Sequence, residues 1–518
     1  MPIDHITQLV CDTAQPMKPC GALSMETDGA NDKHSVATGV AILLRPPRIC
    51  CLMMLSIAFW GIIFYFVSCM QGNMASLLLK PSAFSLPSFG FGRDPCAGRY
   101  IYMYDLPPRF NADLAWECLK DSVMNKPMEN DGFGQPLPPG DSLPEKGAYD
   151  TDQYMLALIY HARMRRYECL TADPSTAVAV YVPFYAGFDA SLNMLKSNLS
   201  ARDAVSRSMV DWLVRRPEWR AMGGRDHFLA VGRATWDFVR GKDGGWGNAF
   251  MTYPAIRNTT VLTIEASPWH GNDFAVPFPS HFHPSSDVDV LRWQDRMRQL
   301  ERRWLWGFAG GPRPGNITVR SQIIGQCRNS SSCAMLASAT GYHNSPEGIM
   351  RLLESADFCL EPMGDSFTRK STFDAILAGC IPVFFHPISA YTQYTWHLPR
   401  DFRSYSVFIP QADVAHRNAS IEEVLRKIPR TKVAQMREEV IRLIPRVMYR
   451  DPMANGVVFK DAFDVAVDAV IDRVTKRRRA ATEGRQYEDS IDGHDSWKYD
   501  LLEHGQKDIG PHELDPYM

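Results

Sequence analysis

The apolar segment Ile49–Met70 most strongly limits what this chain can fold into, because its 22 residues include no charged side chain. At a rise of about 1.5 Å per residue, a helix of this length crosses a hydrocarbon core of about 30 Å. Arg45 and Arg48 precede the segment, whereas the next cation after it is Lys80. Since cytosolic flanks are enriched in cations, we expect a signal anchor with a cytosolic N-terminus and a lumenal remainder. A cleaved signal peptide would have a shorter apolar region nearer the first residue, so we favour the anchor.

Sequons and cysteines that follow the apolar segment fit a lumenal location. The sequons predict glycosylation at Asn198, Asn258, Asn316, Asn329 and Asn418. Seven cysteines also follow the segment, and an oxidising lumen lets cysteines pair. The short polar loop between Cys327 and Cys333 suggests a local disulfide, although two separate thiols fit the spacing almost as well. No C-x-x-C pair indicates zinc or redox chemistry.

The length and composition indicate more than one globular domain. A chain of 518 residues, 45% hydrophobic and 22% charged, exceeds what one core usually organises and is not disordered in composition. The formal net charge of -2 gives no general attraction to nucleic acid. From Cys96 onward, short apolar runs alternate with helical stretches, a pattern typical of α/β proteins with parallel sheets. We therefore expect two Rossmann-like halves.

This pattern divides the chain into six segments. They are a cytosolic tail over 1–48, an anchor over 49–70, a stem over 71–95, an N-terminal Rossmann-like domain over 96–285, a C-terminal Rossmann-like domain over 286–475 and a disordered acidic tail over 476–518. A terminal helix over Asp461–Val474 is expected to pack back across the two halves. Residues 481–518 hold ten acidic and three basic side chains, so we expect this tail to be solvated.

The strongest local pattern is Phe358–Phe385, which predicts a strand, a sharp loop, a helix, a glycine turn and a second strand. The loop runs from Glu361 to Ser366 and leads directly into the helix. Free backbone N–H groups and the helix dipole favour an anion at such an N-terminus. A nucleotide pyrophosphate could therefore rest beside Gly364 and Ser366.

Charged residues around this loop fit the same hypothesis. Arg369 and Lys370 could hold a phosphate, and the Glu361 carboxylate at the strand end could accept two hydrogen bonds from a ribose diol. An equally weighted alternative makes Asp365 or Ser366 an N-cap and Arg369 a surface cation.

Four further motifs accompany this segment and make the pattern specific. They are Gly379–Pro387, Tyr391–Pro399, His227–Phe238 and Ser267–Phe274. With Phe358–Phe385, they resemble the exostosin-type glycosyltransferases and, more closely, the plant xyloglucan galactosyltransferases. The similarity runs from about Cys96 to Val474.

The resemblance implies a Golgi type II membrane protein with a GT-B fold, in which two Rossmann-like domains face a cleft. Residues 96–285 would then form the acceptor domain, and residues 286–475 the nucleotide-sugar domain. The family transfers with inversion from a UDP-sugar without an essential metal or other cofactor. The implied partners are UDP-galactose, the xylosyl side chains of xyloglucan and the Golgi membrane. No nucleic acid is expected to bind, and a homo- or hetero-complex with other Golgi transferases is a further expectation.

The resemblance also suggests residues for binding. Donor contacts are expected at Glu361, Gly364, Asp365, Ser366 and Arg369, with Arg233 as a second phosphate contact. Aromatic side chains that could stack on sugar faces are Tyr185, Trp236, Trp269 and Trp396, although most tryptophans pack in cores.

An inverting transfer needs a base to take the proton from the acceptor hydroxyl. The candidates are Glu265 at a strand end and Asp273 in the loop after it, with His227 behind them. For each carboxylate alone, a structural role is the commoner alternative: a buried salt-bridge partner for Glu265 and a loop cap for Asp273.

Two motifs that suggest a metal have simpler explanations. Asp287 and Asp289 form a D-x-D triplet, but the apparent helix over Val290–Trp304 makes them first-turn residues that favour the helix dipole. His281 and His283 lack a third ligand at a recognisable spacing, so we expect no metal site.

The sequence also allows two other functions. Related transferases use galacturonic acid, arabinose or xylose, and a donor carboxylate would require a nearby cation. A different class, an inactive scaffold that binds polysaccharide, would be favoured by loss of Glu361 or of the loop after it, and both are present.

Overall fold

A computed structural model describes residues 94–120, 129–194, 196–241, 244–267, 271–313, 318–336 and 345–485. The predicted cytosolic tail, the anchor over 49–70 and nearly all of the stem lie outside these ranges. Within them, no helix combines the length and the apolar character needed to cross a membrane. All described residues from Cys96 onward belong to one compact unit.

A six-stranded parallel sheet forms the first half of this unit. Its strands are β1 (Ile101–Met103), β2 (Leu170–Thr171), β3 (Ala179–Tyr181), β4 (His227–Ala230), β5 (Thr260–Thr263) and β6 (Asp273–Ala275), in the order β2-β1-β3-β4-β5-β6. Strands β3, β4 and β5 are buried along their whole length. They read as near-continuous apolar runs because helices cover both faces of a parallel sheet.

Short helices connect these strands. They are α1 (Ala112–Lys120), α2 (Leu156–Met164), α3 (Ala186–Asn193), α4 (Leu199–Arg202), α5 (Ala204–Leu213), α6 (Pro217–Met222) and α7 (Pro254–Arg257). Helix α6 begins with Pro217 and ends before Gly223, which has a φ of +59°. Proline at the first position and glycine after the last are the residues that such ends favour.

The second half is built on a five-stranded parallel sheet. Its strands are β7 (Trp304–Ala309), β8 (Cys333–Leu336), β9 (Ala356–Glu361), β10 (Ile381–Phe384) and β11 (Val407–Phe408), in the order β11-β10-β9-β7-β8. The helices that follow in chain order are α8 (Asp287–Gln299), α9 (Val319–Arg328), α10 (Pro346–Glu354), α11 (Lys370–Leu377), α12 (Gln411–His416), α13 (Ile421–Arg426), α14 (Arg430–Val447) and α15 (Ala462–Thr482). The prediction of two α/β halves with parallel sheets is confirmed.

Both sheets reverse their strand order at the same relative place. The first strand of each sheet lies between the second and the third, so the reversal falls between β1 and β3 and between β7 and β9. Crevices that bind ligands open at the carboxyl ends of the strands at such reversals. In the second sheet, this place lies beyond Ala309 and Glu361, the last residues of β7 and β9.

The helix predicted over Val290–Trp304 has different bounds. Helix α8 begins at Asp287 because the Ser286 side chain accepts a hydrogen bond from the Asp289 N–H. Trp304 does not end this helix but begins β7. The D-x-D triplet therefore lies in the first helical turn, as predicted.

The last helix, α15, packs on the first half of the unit. Arg477 donates to the carbonyls of Arg225 and Asn258, and Arg478 forms an ion pair with Asp226. The helix continues to Thr482, past residue 476, where we expected the acidic tail to begin. The described part of that segment is therefore helical to Thr482.

Three disulfides join six of the seven cysteines. The predicted Cys327–Cys333 bridge is confirmed, and the others are Cys96–Cys169 and Cys359–Cys380. The last of these ties β9 to the residue before β10. It therefore fixes the strand that ends at Glu361.

The sequons differ in exposure. The exposed asparagines are Asn198, Asn329 and Asn418, whereas Asn258 is half-buried and donates from Nδ2 to the Gly223 carbonyl at 2.9 Å. Asn316 lies outside the described residues. Exposed asparagines are the accessible acceptors for a glycan.

Candidate active site

Arg320 connects the two loops at the strand reversal of the second sheet. It lies in the first turn of α9, and its Nε donates to the Met363 carbonyl at 2.7 Å. Its Nη atoms donate to the carbonyls of Gly311 and Pro362, both at 3.3 Å. The guanidinium therefore joins the loop after β7 to the loop after β9. Sequence analysis missed Arg320; its place near the start of a helix after a strand was the available signal.

Arg369 lies over the predicted anion-binding loop. Its Nη2 donates to the Ser366 carbonyl at 3.0 Å. A Cβ built at Gly364 would lie 1.7 Å from this Nη2, so only glycine leaves room for the guanidinium. Arg369 is therefore not the free surface cation that the alternative interpretation of the sequence expected.

The positive charge at this reversal is concentrated. Burial, together with the nearby charges of Arg369 and Arg313, lowers the pKa of Arg320 to about 10. Burial also lowers the pKa of Arg369. Asp365 is exposed and pairs with Arg313 at 2.6 Å, so it does not cap the following helix. Partly buried guanidinium groups that lie close to other cations favour the binding of an anion beside them.

Glu361 ends β9 and is 3% exposed. Burial raises its pKa to about 8, against the opposing effects of the Ser371 hydroxyl, Arg320 and Arg369. The hydroxyl of Ser371, in the first turn of α11, donates to one Glu361 oxygen. At neutral pH the group therefore holds a proton, so it can both donate to and accept from a hydroxyl such as that of a ribose.

Glu265 ties the two halves of the unit together. It lies two residues beyond β5, is 1% exposed and accepts hydrogen bonds on both oxygens. Oε1 accepts from Trp236 Nε1 at 2.9 Å and from the Phe367 N–H at 3.4 Å. Oε2 accepts from Ser366 Oγ at 2.8 Å, from the Thr368 N–H at 2.7 Å and from the Thr368 hydroxyl. These five hydrogen bonds favour a positioning role for Glu265 over the role of a base. The hydrogen-bond partners of Glu265 are neutral donors, whereas the structural alternative expected a cation in a buried salt bridge.

Asp273 holds the loop that follows β5. It begins β6 instead of lying in a loop, and its Oδ2 accepts from Thr235 Oγ1 at 2.6 Å and from the Ser267 N–H at 2.7 Å. The Thr235 N–H donates to the Glu265 carbonyl at 2.9 Å. The structure thus brings the two predicted carboxylates into one network through Thr235, with Asp273 acting as a loop cap.

Arg233 and His227 make their side-chain contacts within the first half of the unit. Arg233 Nε donates to Asp237 Oδ2 at 2.7 Å, and its guanidinium lies 4.4 Å from the ring centre of Tyr154. His227 begins β4, so it lies at the amino end of the sheet, where its ring nitrogens bond to Asp226 and Tyr104. The structure therefore does not place His227 with the other predicted base candidates.

The candidate stacking residues have different surroundings. Trp236 is partly exposed, with its ring centre 5.9 Å from that of Phe367. Trp396 stacks on Phe274 at 4.5 Å, whereas Tyr185 is buried and bonds to His161. Trp269 lies outside the described residues. Trp236 is thus the aromatic side chain of this set that contacts the loop after β9.

Neither suspected metal motif gathers ligands. Asp287 accepts from the Val458 N–H at 3.0 Å, and Asp289 accepts from Ser286 Oγ at 2.6 Å. His281 bonds to Lys370, and His283 bonds to Thr151. Across the part of the chain that the structure describes, no three His, Cys, Asp or Glu side chains are grouped to hold a metal ion.

Comparison with known proteins identifies the family. The Exostosin GT47 domain matches residues 95–425. The chain is 51% identical over 434 residues to "Xyloglucan galactosyltransferase MUR3" of Arabidopsis thaliana, covering 82% of this chain and 70% of that protein. It is 42% identical to "Probable xyloglucan galactosyltransferase GT12" of the same plant, covering 76% and 80%. It is 39% identical to "Xyloglucan-specific galacturonosyltransferase 1", also of Arabidopsis thaliana, covering 74% and 58%.

Among solved structures, the chain matches Arabidopsis thaliana UGT89C1 complexed with UDP. The match covers 61% of this chain and 95% of that chain, with 10% identity and a TM-score of 0.28. The family match and the identities to curated relatives confirm the resemblance found in the sequence. The chain belongs to the exostosin GT47 family of glycosyltransferases.

Proposed function

We propose that this protein transfers galactose with inversion from UDP-galactose to xylosyl side chains of xyloglucan. The relative that is 51% identical is named a xyloglucan galactosyltransferase. We further propose that the two halves face each other across a cleft in a GT-B arrangement, with the acceptor on the first half and the donor on the second.

The observation that carries the donor assignment is the pair Arg320 and Arg369. Their side-chain hydrogen bonds go to backbone carbonyls, whereas Arg233 is paired with a carboxylate. Lys370 is likewise paired, with Asp374 at 2.9 Å. The positive charges of Arg320 and Arg369 are therefore not neutralised by a carboxylate partner. A pyrophosphate carries two negative charges and would neutralise both.

A second candidate function is transfer of galacturonic acid, because one relative is named a galacturonosyltransferase. The same arginine cluster could accept a uronate carboxylate if the sugar lay over it. Only the identity of the transferred sugar separates the two candidates.

The experiment offers the purified protein a panel of UDP-sugars with xylosylated glucan oligosaccharides and measures the product mass. A hexose gained from UDP-galactose alone supports the proposal, whereas a uronic acid or a pentose would replace the donor. If the folded protein binds UDP but transfers nothing, it is a polysaccharide-binding scaffold instead.

The donor site has its own test in Arg320→Met. Loss of a charge-assisted hydrogen bond costs about 1.5–3 kcal/mol, so the Kd for UDP should rise by about 10- to 150-fold. Arg417→Met is the matched control, since that side chain is 77% exposed and pairs with Asp413 of the adjacent helix α12. An unchanged Kd in a folded Arg320→Met protein would remove Arg320 from the donor site.

Location and metal independence are proposals of the same kind. We propose a single-pass type II protein of the Golgi membrane. Protection of a lumenal epitope from protease in sealed Golgi vesicles would support this topology.

We also propose that the transfer needs no bound metal. Transfer that continues undiminished in excess EDTA would support this, and transfer abolished by EDTA and restored by Mn²⁺ would contradict it.

A further inference from the structure

The base of the proposed reaction needs a carboxylate or imidazole that is open to the acceptor. Glu265 and Asp273 are buried, at 1% and 4% exposure, and hold loops of the protein itself. His227 lies at the opposite edge of its sheet. The base must then come from another element at the carboxyl edges of the two sheets.

The segment before α2 reaches this edge. Ala148 pairs with Phe282 in an antiparallel bridge, and the Tyr149 N–H donates to the His281 carbonyl at 3.0 Å. Thr151 Oγ1 forms a 2.8 Å hydrogen bond with His283 Nε2. These contacts fix the backbone immediately before Asp152.

Asp152 lies next to both halves of the unit. On one side, a Cβ at Gly232, two residues beyond β4, would lie 2.9 Å from the Tyr154 carbonyl. On the other side, His281 bonds to Lys370 Nζ at 2.9 Å, at the start of α11. Asp152 therefore lies between the carboxyl end of β4 and the N-terminus of α11, where Ser371 holds Glu361.

The Asp152 side chain is exposed and keeps one oxygen available. Oδ1 accepts from the Tyr154 N–H at 2.8 Å, and within the described residues Oδ2 has no hydrogen-bond partner. Desolvation nevertheless raises its pKa, against the lowering effects of the Tyr154 N–H, Arg233 and Lys370. An exposed carboxylate at this place between the two halves is open to an acceptor hydroxyl, as a base requires.

We propose that Asp152 is the residue that takes the proton from the acceptor hydroxyl. In this step the acceptor oxygen bonds to the anomeric carbon as the bond from that carbon to the phosphate oxygen breaks. UDP leaves with the bonding electron pair, and the hydroxyl proton passes to Asp152 Oδ2. The inference rests on the proposed function, since it requires transfer to a hydroxyl with inversion.

The test compares Asp152→Asn with the matched control Asp141→Asn, an exposed aspartate of the same loop region. The asparagine carbonyl can still accept from the Tyr154 N–H, so the local fold is retained. Removing a general base lowers the rate by about 10²- to 10⁴-fold. We expect this loss in kcat for Asp152→Asn, with an unchanged Kd for UDP and an unchanged control.

Azide gives an independent readout, because this nucleophile has no proton to lose. With UDP-galactose, Asp152→Ala should form β-galactosyl azide at a rate that rises with azide concentration. Asp152→Asn with transfer within twofold of the wild type, or Asp152→Ala with no azide product despite normal UDP binding, would overturn the assignment. A wild-type protein that transfers nothing from any UDP-sugar would refute the proposed function first, and this inference with it.

Discussion

Replacing Glu265 by Gln distinguishes a positioning residue from a base. The amide keeps the shape of the carboxylate but turns one acceptor oxygen into an NH₂ donor. If the NH₂ replaces Oε1, it faces the N–H groups of Trp236 and Phe367. If it replaces Oε2, it faces the Thr368 N–H. Hydroxyls can rotate to accept, but N–H groups cannot, so at least one buried donor loses its partner.

The magnitude follows from these contacts. A buried donor left without an acceptor costs about 1–3 kcal/mol, and hydrogen bonds to a carboxylate are about twice as strong as neutral ones. We therefore expect Glu265→Gln to lower the free energy of unfolding by about 3 kcal/mol. Because the lost bonds hold residues 366–368, the loop before α11 should loosen. The KM for the UDP-sugar should then rise more than kcat falls.

Urea unfolding followed by tryptophan fluorescence measures the free energy of unfolding, and steady-state kinetics measures KM and kcat. Glu301→Gln is the control, since Glu301 is exposed and should change neither. A variant with stability within about 0.5 kcal/mol of the wild type and kcat reduced by more than about 100-fold would refute the positioning role. That outcome would restore Glu265 as the base.

Three further changes test the second sheet. The pKa of Glu361 in the folded protein is about 8, above the usual 4.5, so protonated Glu361 stabilises the fold and this stabilisation is lost as the pH rises from 4.5 to 8. Glu361→Gln has no such titration. Its free energy of unfolding relative to the wild type, measured in urea, should therefore rise between pH 5 and 8 by up to about 1.4 kcal/mol per pH unit. A pH-independent difference would contradict this. Gly364→Ala should weaken UDP binding at least about tenfold by calorimetry, because its Cβ displaces the Arg369 guanidinium; unchanged affinity would place the nucleotide elsewhere. Replacing Cys359 and Cys380 by Ser should cost about 2–4 kcal/mol in urea unfolding, and a loss under about 1 kcal/mol would count against the bridge.

The sequence predicted most strands of both sheets because buried parallel strands are short continuous apolar runs. The runs at His227–Val231 and Ile381–Phe385 correspond to β4 and β10 within one residue. The strands that escaped prediction are β2, β6 and β8, which are two, three and four residues long. Such strands are defined by their neighbours in the sheet, and a single sequence does not contain that information.

The loop Glu361–Ser366 was also predictable, since strand, loop and helix follow each other in the chain. The roles of its side chains were not. Ser366 was expected to contact phosphate, yet its hydroxyl donates to Glu265, 101 residues earlier. Neither the spacing nor the type of the two residues predicts a contact across two sheets.

The arginines show where sequence information ends. Arg233 was expected to contact phosphate, but its neighbour four residues later, Asp237, pairs with it. This spacing is visible in the sequence and argues against a free charge. Arg320 has the opposite character, because two of its three acceptor carbonyls lie 42 and 43 residues later. Among the described residues it forms no ion pair with a carboxylate. A guanidinium that holds two loops and keeps its charge is better suited to bind a pyrophosphate than a guanidinium that a carboxylate already neutralises. The donor site is therefore better assigned by which charges remain uncompensated in the fold than by which cations lie nearest in the sequence.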